Sequence, residues 1–213
     1  MTIDTTLAFT HVHVPPGVPG ETRTVLLLHG TGGNERDLLE LGATVAPGAR
    51  LLGVRGQVLE AGMPRFFRRL AEGVFDEADL VRRAADLAAF VPAAANVYGF
   101  DVSKVVALGY SNGANIAAAI LLLHPNVLSA AVLLRSMVPL EPSVLPTLPA
   151  TPVLIAEGQL DPIVPRANAL RLAALLGEAG ASVTLHWEQA GHGLTSADVE
   201  AARNWLAAGR AEG

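Results

Sequence analysis

Residues 105–113 read V-V-A-L-G-Y-S-N-G, an apolar run that leads into a serine between two glycines. A small-residue stretch of helical length follows, at 114–123. The pattern G-x-S-x-G between a strand and a helix is typical of a sharp turn that lifts a serine hydroxyl above a sheet. Larger residues in place of the glycines would clash with the neighbouring backbone. Ser111 is therefore a candidate nucleophile, and the alternative is an ordinary serine in a glycine-rich turn.

Other short apolar runs recur along the chain and predict further strands. Their apolarity is continuous rather than alternating, which indicates strands covered on both faces, as in parallel sheets. The predicted strands are 25–28, 51–54, 105–109, 130–134, 153–157 and 183–187, with an edge strand at 7–14. Helical patterns separate most of them, at 76–90, 113–124, 165–179 and 196–208. We expect an α/β fold: one domain over residues 1–213, with a mostly parallel sheet flanked by helices on both faces.

Composition excludes several classes of function. The 213 residues carry a formal net charge of −5 and include no cysteine, so disulfides, thiolate metal sites and a cysteine nucleophile are ruled out. No basic stripe favours nucleic acid. No apolar stretch approaches the roughly 18 residues that span a bilayer, and the first residues do not read as a secretory signal. We expect a cytoplasmic protein with neither nucleic-acid nor membrane partners.

A serine nucleophile needs a base and an acid, and loops after the later strands offer both. His192 lies in G-H-G after the last predicted strand, whereas the other histidines lie in strands, at a helix end or directly after a strand. Asp161 lies in E-G-Q-L-D-P, just past the 153–157 strand, and completes the chain order Ser, acid, His. Glu157 is the weaker rival for the acid. Asp198 is better explained as a helix cap.

The glycine-rich segment L-L-L-H-G-T-G-G-N at 26–34 follows a strand and can present backbone amides. We expect an oxyanion hole formed by the amides of Thr31 and Asn112. A phosphate-binding loop is the competing interpretation, but neither of its glycine patterns is present.

These segments together resemble the α/β-hydrolase superfamily. More narrowly, L-H-G-T-G-G-N, G-Y-S-N-G-A, G-Q-L-D-P-I-V-P and A-G-H-G are similar to the small carboxylesterase/phospholipase group, which is related to acyl-protein thioesterases and dienelactone hydrolases. The resemblance implies that Ser111 attacks an ester carbonyl, that His192 accepts its proton and that Asp161 holds His192. It implies no metal and no organic cofactor. Serine in place of the cysteine of dienelactone hydrolases argues against that specificity.

Substrate choice is less well marked in the sequence. The interval 135–152 is too short for the cap domain that many α/β-hydrolases carry, so we expect an open site for small, short-chain esters. The 55–75 segment is the expected pocket wall, with Met63, Phe66 and Phe67 as an apolar subsite or, equally, as packing residues. Its arginines favour structural ion pairs, while Arg65 is the best candidate for binding an anionic substrate.

Two alternative functions stay open, as does the oligomeric state. A thioesterase or a lysophospholipase would use the same machinery. A slow-turnover ligand sensor on the same fold is a different class, and it would retain its ligand after a single turnover. A homodimer is compatible with the apolar composition.

Overall fold

The computed structural model describes residues 7–209 and contains a central seven-stranded sheet. The strands in chain order are β1 (His11–Val14), β2 (Thr24–Leu28), β3 (Arg50–Val54), β4 (Val58–Glu60), β5 (Met63–Arg65), β6 (Arg69–Ala71), β7 (Val74–Phe75), β8 (Val105–Tyr110), β9 (Ala130–Leu134), β10 (Pro152–Gly158) and β11 (Ser182–Glu188). The sheet order is β1-β3-β2-β8-β9-β10-β11. Only β1 runs antiparallel to its neighbour, so the expected mostly parallel sheet is confirmed.

Helices cover both faces of this sheet. They are α1 (Leu39–Val45), α2 (Glu77–Tyr98), α3 (Asn112–Leu123), α4 (Arg166–Glu178) and α5 (Ser196–Ala208). The core on one face contains buried residues of α2, α3 and α4, and the core on the other contains residues of α1 and α5. Within β2, Leu26 and Leu28 face the first core while Val25 and Leu27 face the second, which is why the strand is apolar throughout. No helix within residues 7–209 has the length and apolarity to cross a membrane.

The predicted helix 76–90 is too short. Helix α2 continues to Tyr98 and includes Pro92, although proline removes one backbone hydrogen bond from a helix. Val91, Ala94 and Ala95 beyond the prediction are buried, so packing against the core outweighs that loss. Gly99 caps the C-terminus of the helix, and its φ of 65° is in the left-handed region that favours glycine.

Other differences lie in short elements. The edge strand expected at 7–14 occupies only His11–Val14, and helix α1 was not predicted. The 55–75 segment contains two small hairpins, β4–β5 and β6–β7. Strands of two or three residues are too short to show a period, so this segment carries little sequence signal. The 135–151 interval contains no helix or strand, which agrees with the expected lack of a cap.

Candidate active site

Ser111 lies on a strained turn between β8 and α3. Its φ of 52° and ψ of −115° are unusual for a residue with a side chain. A Cβ added at Gly109 would lie 2.6 Å from the nitrogen of Ala114, and one added at Gly113 would lie 1.9 Å from the carbonyl oxygen of Leu28. Both positions therefore require glycine, as the G-x-S-x-G pattern predicts. The turn places the Ser111 side chain at the carboxyl end of the sheet, in front of the α3 N-terminus.

An unbroken chain of hydrogen bonds links the three residues proposed from the sequence. The Nε2 atom of His192 lies 2.9 Å from the Oγ of Ser111, and its Nδ1 atom lies 2.7 Å from an Oδ2 oxygen of Asp161. A neutral imidazole can donate to the carboxylate through Nδ1 and accept from the hydroxyl through Nε2. This is the arrangement that general-base activation of a serine requires.

Asp161 is held so that one oxygen is reserved for His192. Its Oδ1 accepts hydrogen bonds from the amides of Ile163 (2.8 Å) and Val164 (3.2 Å), which leaves Oδ2 for the imidazole. The carboxylate is shielded from solvent, whereas the His192 side chain keeps 19% of its surface exposed. The carboxylate–imidazole bond therefore lies in a setting of reduced dielectric, where it is stronger than in water.

Glu157, the rival acid, has a different role. It is buried at the end of β10, and its Oε1 accepts from the amide (2.7 Å) and the hydroxyl (2.9 Å) of Ser136. Burial raises the pKa of its carboxyl to about 8. Its hydrogen bonds go to the segment after β9 and not to the imidazole, so Asp161 alone of these two acids meets His192.

The glycine-rich loop after β2 packs against the pocket wall. The amide of Gly32 donates to the carbonyl of Pro64 (2.9 Å), and the hydroxyl of Thr31 accepts from Nη1 of Arg65 (2.5 Å). His29 is almost fully buried: its Nδ1–H faces the carbonyl of Gly30 (2.6 Å), and its Nε2 accepts from the amide of Gly56 (3.0 Å). Burial lowers the pKa of His29, so the imidazole is neutral and links the loop after β2 to the 55–75 segment through hydrogen bonds.

A cleft of about 230 Å³ opens above Ser111 and His192. Its remaining lining residues are Thr31, Arg65, Arg69, Glu72, Gly73, Phe75, Tyr110, Asn112, Asn115, Met137 and Ile163. The lining includes the apolar side chains of Phe75, Met137 and Ile163 and the polar side chains of Thr31, Arg65 and Arg69. Ser111 therefore faces a small space with both apolar and polar lining.

Three of the four residues expected to bind substrate do not line this cleft. Phe66 and Phe67 are 2% and 0% exposed and belong to the hydrophobic core, so they are packing residues. Met63 is 41% exposed and lies against Gly32 outside the cleft. The correction has a physical reason: the two rings pack into the core, with Phe66 4.8 Å from the His29 ring and Phe67 5.1 Å from the Phe75 ring, centroid to centroid. Arg65 does line the cleft.

The arginines of this wall form ion pairs, as the sequence favours. Arg65 and Arg69 share Glu60, with nitrogen–oxygen distances of 3.3 Å and 2.7 Å. Arg68 pairs with Asp76 at 2.6 Å. Arg55 pairs with Glu35, in the segment after β2, at 2.6 Å. Two guanidinium groups in the cleft above Ser111 thus share one carboxylate.

Two asparagines of α3 form hydrogen bonds with the backbone of segments that flank the cleft, a role that was not predicted from the sequence. The Oδ1 of Asn112 accepts from the amide of Phe66 (2.7 Å), and the Oδ1 of Asn115 accepts from the amide of Met137 (2.8 Å). Both side chains are buried and lie one helical turn apart. The signal was present in S-N-G-A-N, because buried amides inside an alanine-rich helix need partners.

Comparison with known proteins identifies the family. The model of the phospholipase/carboxylesterase family matches residues 58–209. A putative hydrolase of Bacillus subtilis (strain 168), MhqD, is 50% identical over 181 residues, covering 85% of this chain and 90% of that protein.

Solved structures agree with this match. A Bacillus cereus carboxylesterase has a TM-score of 0.92 and 49% identity, with 94% of each chain covered. A structure of YahD with malic acid has a TM-score of 0.89 and 30% identity, covering 94% of this chain and 98% of that one. The chain therefore belongs to the phospholipase/carboxylesterase family of α/β-hydrolases and is an ester-hydrolysing enzyme.

Proposed function

We propose that this protein is a serine carboxylesterase that hydrolyses small, short-chain carboxylic esters through an acyl-enzyme intermediate. The observation that carries the proposal is the continuous hydrogen-bond chain from Ser111 through His192 to Asp161, with its serine in the floor of the cleft. The three residues come from three separate loops, and no simpler structural need explains why they meet.

The first half of the reaction forms the acyl-enzyme. The Oγ of Ser111 attacks the ester carbonyl carbon while the Nε2 of His192 takes the hydroxyl proton. Asp161 keeps the imidazole oriented and stabilises its positive charge. The backbone amides of Thr31 and Asn112 donate to the oxyanion, and the Asn112 amide also brings the favourable dipole of the α3 N-terminus. The imidazolium then returns its proton to the leaving alkoxide, and an alcohol departs.

The second half releases the acid. His192 removes a proton from a water molecule, which attacks the acyl carbon, and the collapse of the second tetrahedral intermediate returns a proton to the Oγ of Ser111. The enzyme ends unchanged, so turnover is expected rather than the retained ligand of a sensor. A thioester or a lysophospholipid would pass through the same steps, and the size of the cleft favours small esters over long acyl chains.

Hydrolysis of a p-nitrophenyl ester series, from acetate to palmitate, tests this proposal with the wild type and Ser111→Ala. We expect kcat/KM to be highest for short chains and to fall by about 10⁴- to 10⁶-fold in the variant, since both acyl transfers pass through the missing hydroxyl. Comparable activity on palmitate would contradict the short-chain preference. A burst of one equivalent without further turnover would support the sensor, and activity that survives the substitution would refute the nucleophile.

A narrower proposal for the same site is that its esters carry a carboxylate. Arg65 and Arg69 line the cleft and share Glu60, so one guanidinium charge is not matched by that carboxylate. Malic acid, present in the YahD structure, is a small dicarboxylic acid and fits this class. Glu72 also lines the cleft, and its negative charge opposes the binding of a carboxylate. A direct test of the charge preference is therefore needed.

Methyl hydrogen succinate and dimethyl succinate form a matched pair for this test, because they differ mainly in charge at neutral pH. We expect Arg69→Gln to raise KM about tenfold for the charged ester, through loss of one charge-assisted contact. The neutral ester reports on the fold and should change by less than about twofold. Equal effects on both esters would refute the charge preference and leave the esterase proposal standing.

A further inference from the structure

The loop that carries His192 is held at three consecutive carbonyl groups. The Nε of Arg135 donates to the carbonyl of Gly191, and the Nη2 of Arg135 donates to that of Gly193, each at 3.1 Å. The hydroxyl of Tyr110 donates to the carbonyl of His192 itself, also at 3.1 Å. Each peptide plane on either side of the imidazole is therefore oriented by a side chain from another element.

No neighbouring side chain confines the two glycines beside His192. A Cβ added at Gly193 would meet nothing within 4 Å, and one at Gly191 would meet only the carbonyl oxygen of Leu160, at 3.9 Å. Two glycines that flank a histidine give the backbone more freedom than any other pair would. The backbone of Ala190 and Gly191 packs closely on Gly158, and the hydrogen bonds from Arg135 add order at the carbonyls of Gly191 and Gly193.

Arg135 is itself completely buried, and its charge is fully engaged. Nη1 and Nη2 form a two-point ion pair with Asp198 at 3.0 Å and 2.6 Å, and Nη1 also donates to the carbonyl of Ala156 at 3.1 Å. Asp198 caps α5 by accepting from the amide of Thr195 at 2.8 Å. The guanidinium thus joins the end of β10, the start of α5 and the His192 loop at one point.

The backbone of Arg135 is unusual as well. Its φ of 55° is in the left-handed region, which side chains other than glycine rarely adopt. Such a conformation persists only where the surroundings over-determine it, and it is concentrated at functional sites. A buried ion pair is also weak evidence for a stabilising role, since apolar residues of similar volume often serve stability as well.

From these observations we infer that Arg135 is a positioning residue for the reaction: it holds the Gly191–Gly193 backbone so that the imidazole of His192 meets both Ser111 and Asp161. Asp198 acts through Arg135 by fixing its guanidinium, and Tyr110 adds a third, weaker restraint. The inference rests on the proposed role of His192 as the base. It predicts that loss of Arg135 affects the rate of acyl transfer more than substrate binding.

Chemical rescue tests this inference. Arg135→Ala removes the guanidinium but keeps Asp198 and the loop carbonyls that would bind a free one. We expect kcat for p-nitrophenyl acetate to fall about 100-fold with KM changed less than about threefold, because a small misplacement of a reacting group has effects of that size. Added guanidinium chloride at millimolar concentration should restore kcat at least tenfold, whereas methylammonium chloride should not.

Arg23→Ala is the matched control. Arg23 also forms an ion pair, with Glu21, and it donates to the carbonyl of Leu206 near the other end of α5 at 3.1 Å. It therefore anchors the same helix without touching the His192 loop. We expect this variant to unfold more readily than the wild type and yet to retain its kcat, with no response to guanidinium.

Should Arg135→Ala fail to fold, Arg135→Lys keeps a charge beside Asp198 but cannot reach both carbonyls, and its kcat should fall about tenfold with KM little changed. An Arg135 variant that loses stability but keeps kcat within threefold, or a folded Arg135→Ala enzyme whose lost kcat does not respond to guanidinium, would overturn the inference. Failure of the proposed function is distinguishable, because the wild type itself would then show no turnover.

Discussion

The two sides of the cleft are built differently. We call the loops that carry the proposed triad of Ser111, Asp161 and His192 the catalytic side, and residues 55–75, the proposed pocket wall, the substrate wall. Buried polar contacts hold the catalytic side, including the completely buried Arg135. The substrate wall contains two short hairpins with exposed apolar residues: Leu59 is 70% exposed and Leu70 is 72% exposed.

This difference follows from what each side must do. Proton transfer needs its heavy atoms within hydrogen-bond distance, and buried networks provide that order. A wall that selects among substrates can rest on partly exposed ion pairs such as Arg69–Glu60, which are worth only about 0–1 kcal/mol each. The wall can therefore change its sequence with less cost to the chemistry.

Asp161→Asn should give the largest effect on the catalytic side. The amide can still accept from the backbone at Ile163 and Val164, so we expect the fold to persist. It can, however, present a donor to His192 Nδ1 and favour the wrong tautomer, which lowers kcat by about 10⁴-fold. Steady-state kinetics beside a thermal melt measure both effects. A decrease below tenfold in a folded variant would show that another acid, with Glu157 the nearest candidate, orients the imidazole.

A pair of glycine substitutions compares the two sides directly. A Cβ at Gly158 would lie 2.3 Å from the carbonyl oxygen of Gly191 and 2.4 Å from that of Ala190, so Gly158→Ala must displace the His192 loop. We expect kcat to fall about 100-fold. In the wall, Gly62→Ala meets no atom within 4 Å and only strains a φ of 82°, at about 1 kcal/mol. Its activity should stay within about twofold.

The two glycine variants can also contradict the proposed difference in order between the catalytic side and the substrate wall. If Gly62→Ala lowered kcat as much as Gly158→Ala, the wall would have to be as strictly ordered as the catalytic side. The midpoint of urea unfolding, measured for both variants, separates a general loss of fold from a local displacement.

The smallest effect is expected in β1, which belongs to neither side. His13 accepts from Nη1 of Arg50 (2.6 Å) and stacks on Tyr98 with ring centroids 4.0 Å apart. Burial, with Arg50, lowers its pKa from 6.5 to about 4. The unfolded chain therefore binds the proton more readily, so this contribution to stability is complete above about pH 6.5 and is lost as pH falls towards 4.

Urea unfolding of the wild type and His13→Gln at pH 7.5 and pH 5 measures how much His13 contributes to the pH dependence of the free energy of unfolding. Glutamine keeps an acceptor for Arg50 but does not titrate, so its stability should fall less between the two pH values, by on the order of 1 kcal/mol. The paired carboxylates titrate equally in both proteins and cancel in the difference. Parallel losses in the two proteins would show that His13 is protonated without penalty.

Much of the fold could be predicted from the sequence, because local patterns carried it. The six predicted sheet strands and the α5 helix lie where apolar runs and caps placed them. The strained turn at Ser111 was predictable because glycine is the residue that tolerates close backbone approach. Helix α2 beyond Phe90 was not predictable, since burial of Val91 against the core overrides the local effect of Pro92.

The residues of the proposed triad could also be predicted from the sequence, while the contacts that support them could not. Strand ends in a parallel sheet lie at one edge, so Ser111, Asp161 and His192 could be expected to meet. Arg135 carries no motif: its role depends on a guanidinium that reaches carbonyls 56 and 58 residues away in the chain. The sequence left Phe66 and Phe67 open as subsite or packing residues, because apolar side chains in a loop look alike whether they face a core or a cleft.

The sequence by itself determined the six main strands, most of the helices between them and the turn at Ser111, because each depends on residues close together in the chain. The candidate acid and base followed from their order along the chain after Ser111. Only the tertiary structure decided which side chains line the cleft, how Arg65 and Arg69 share Glu60, and how Arg135 and Asp198 hold the His192 loop. Those contacts join residues far apart in the chain, so their geometry exists only once the sheet has brought the strand ends together.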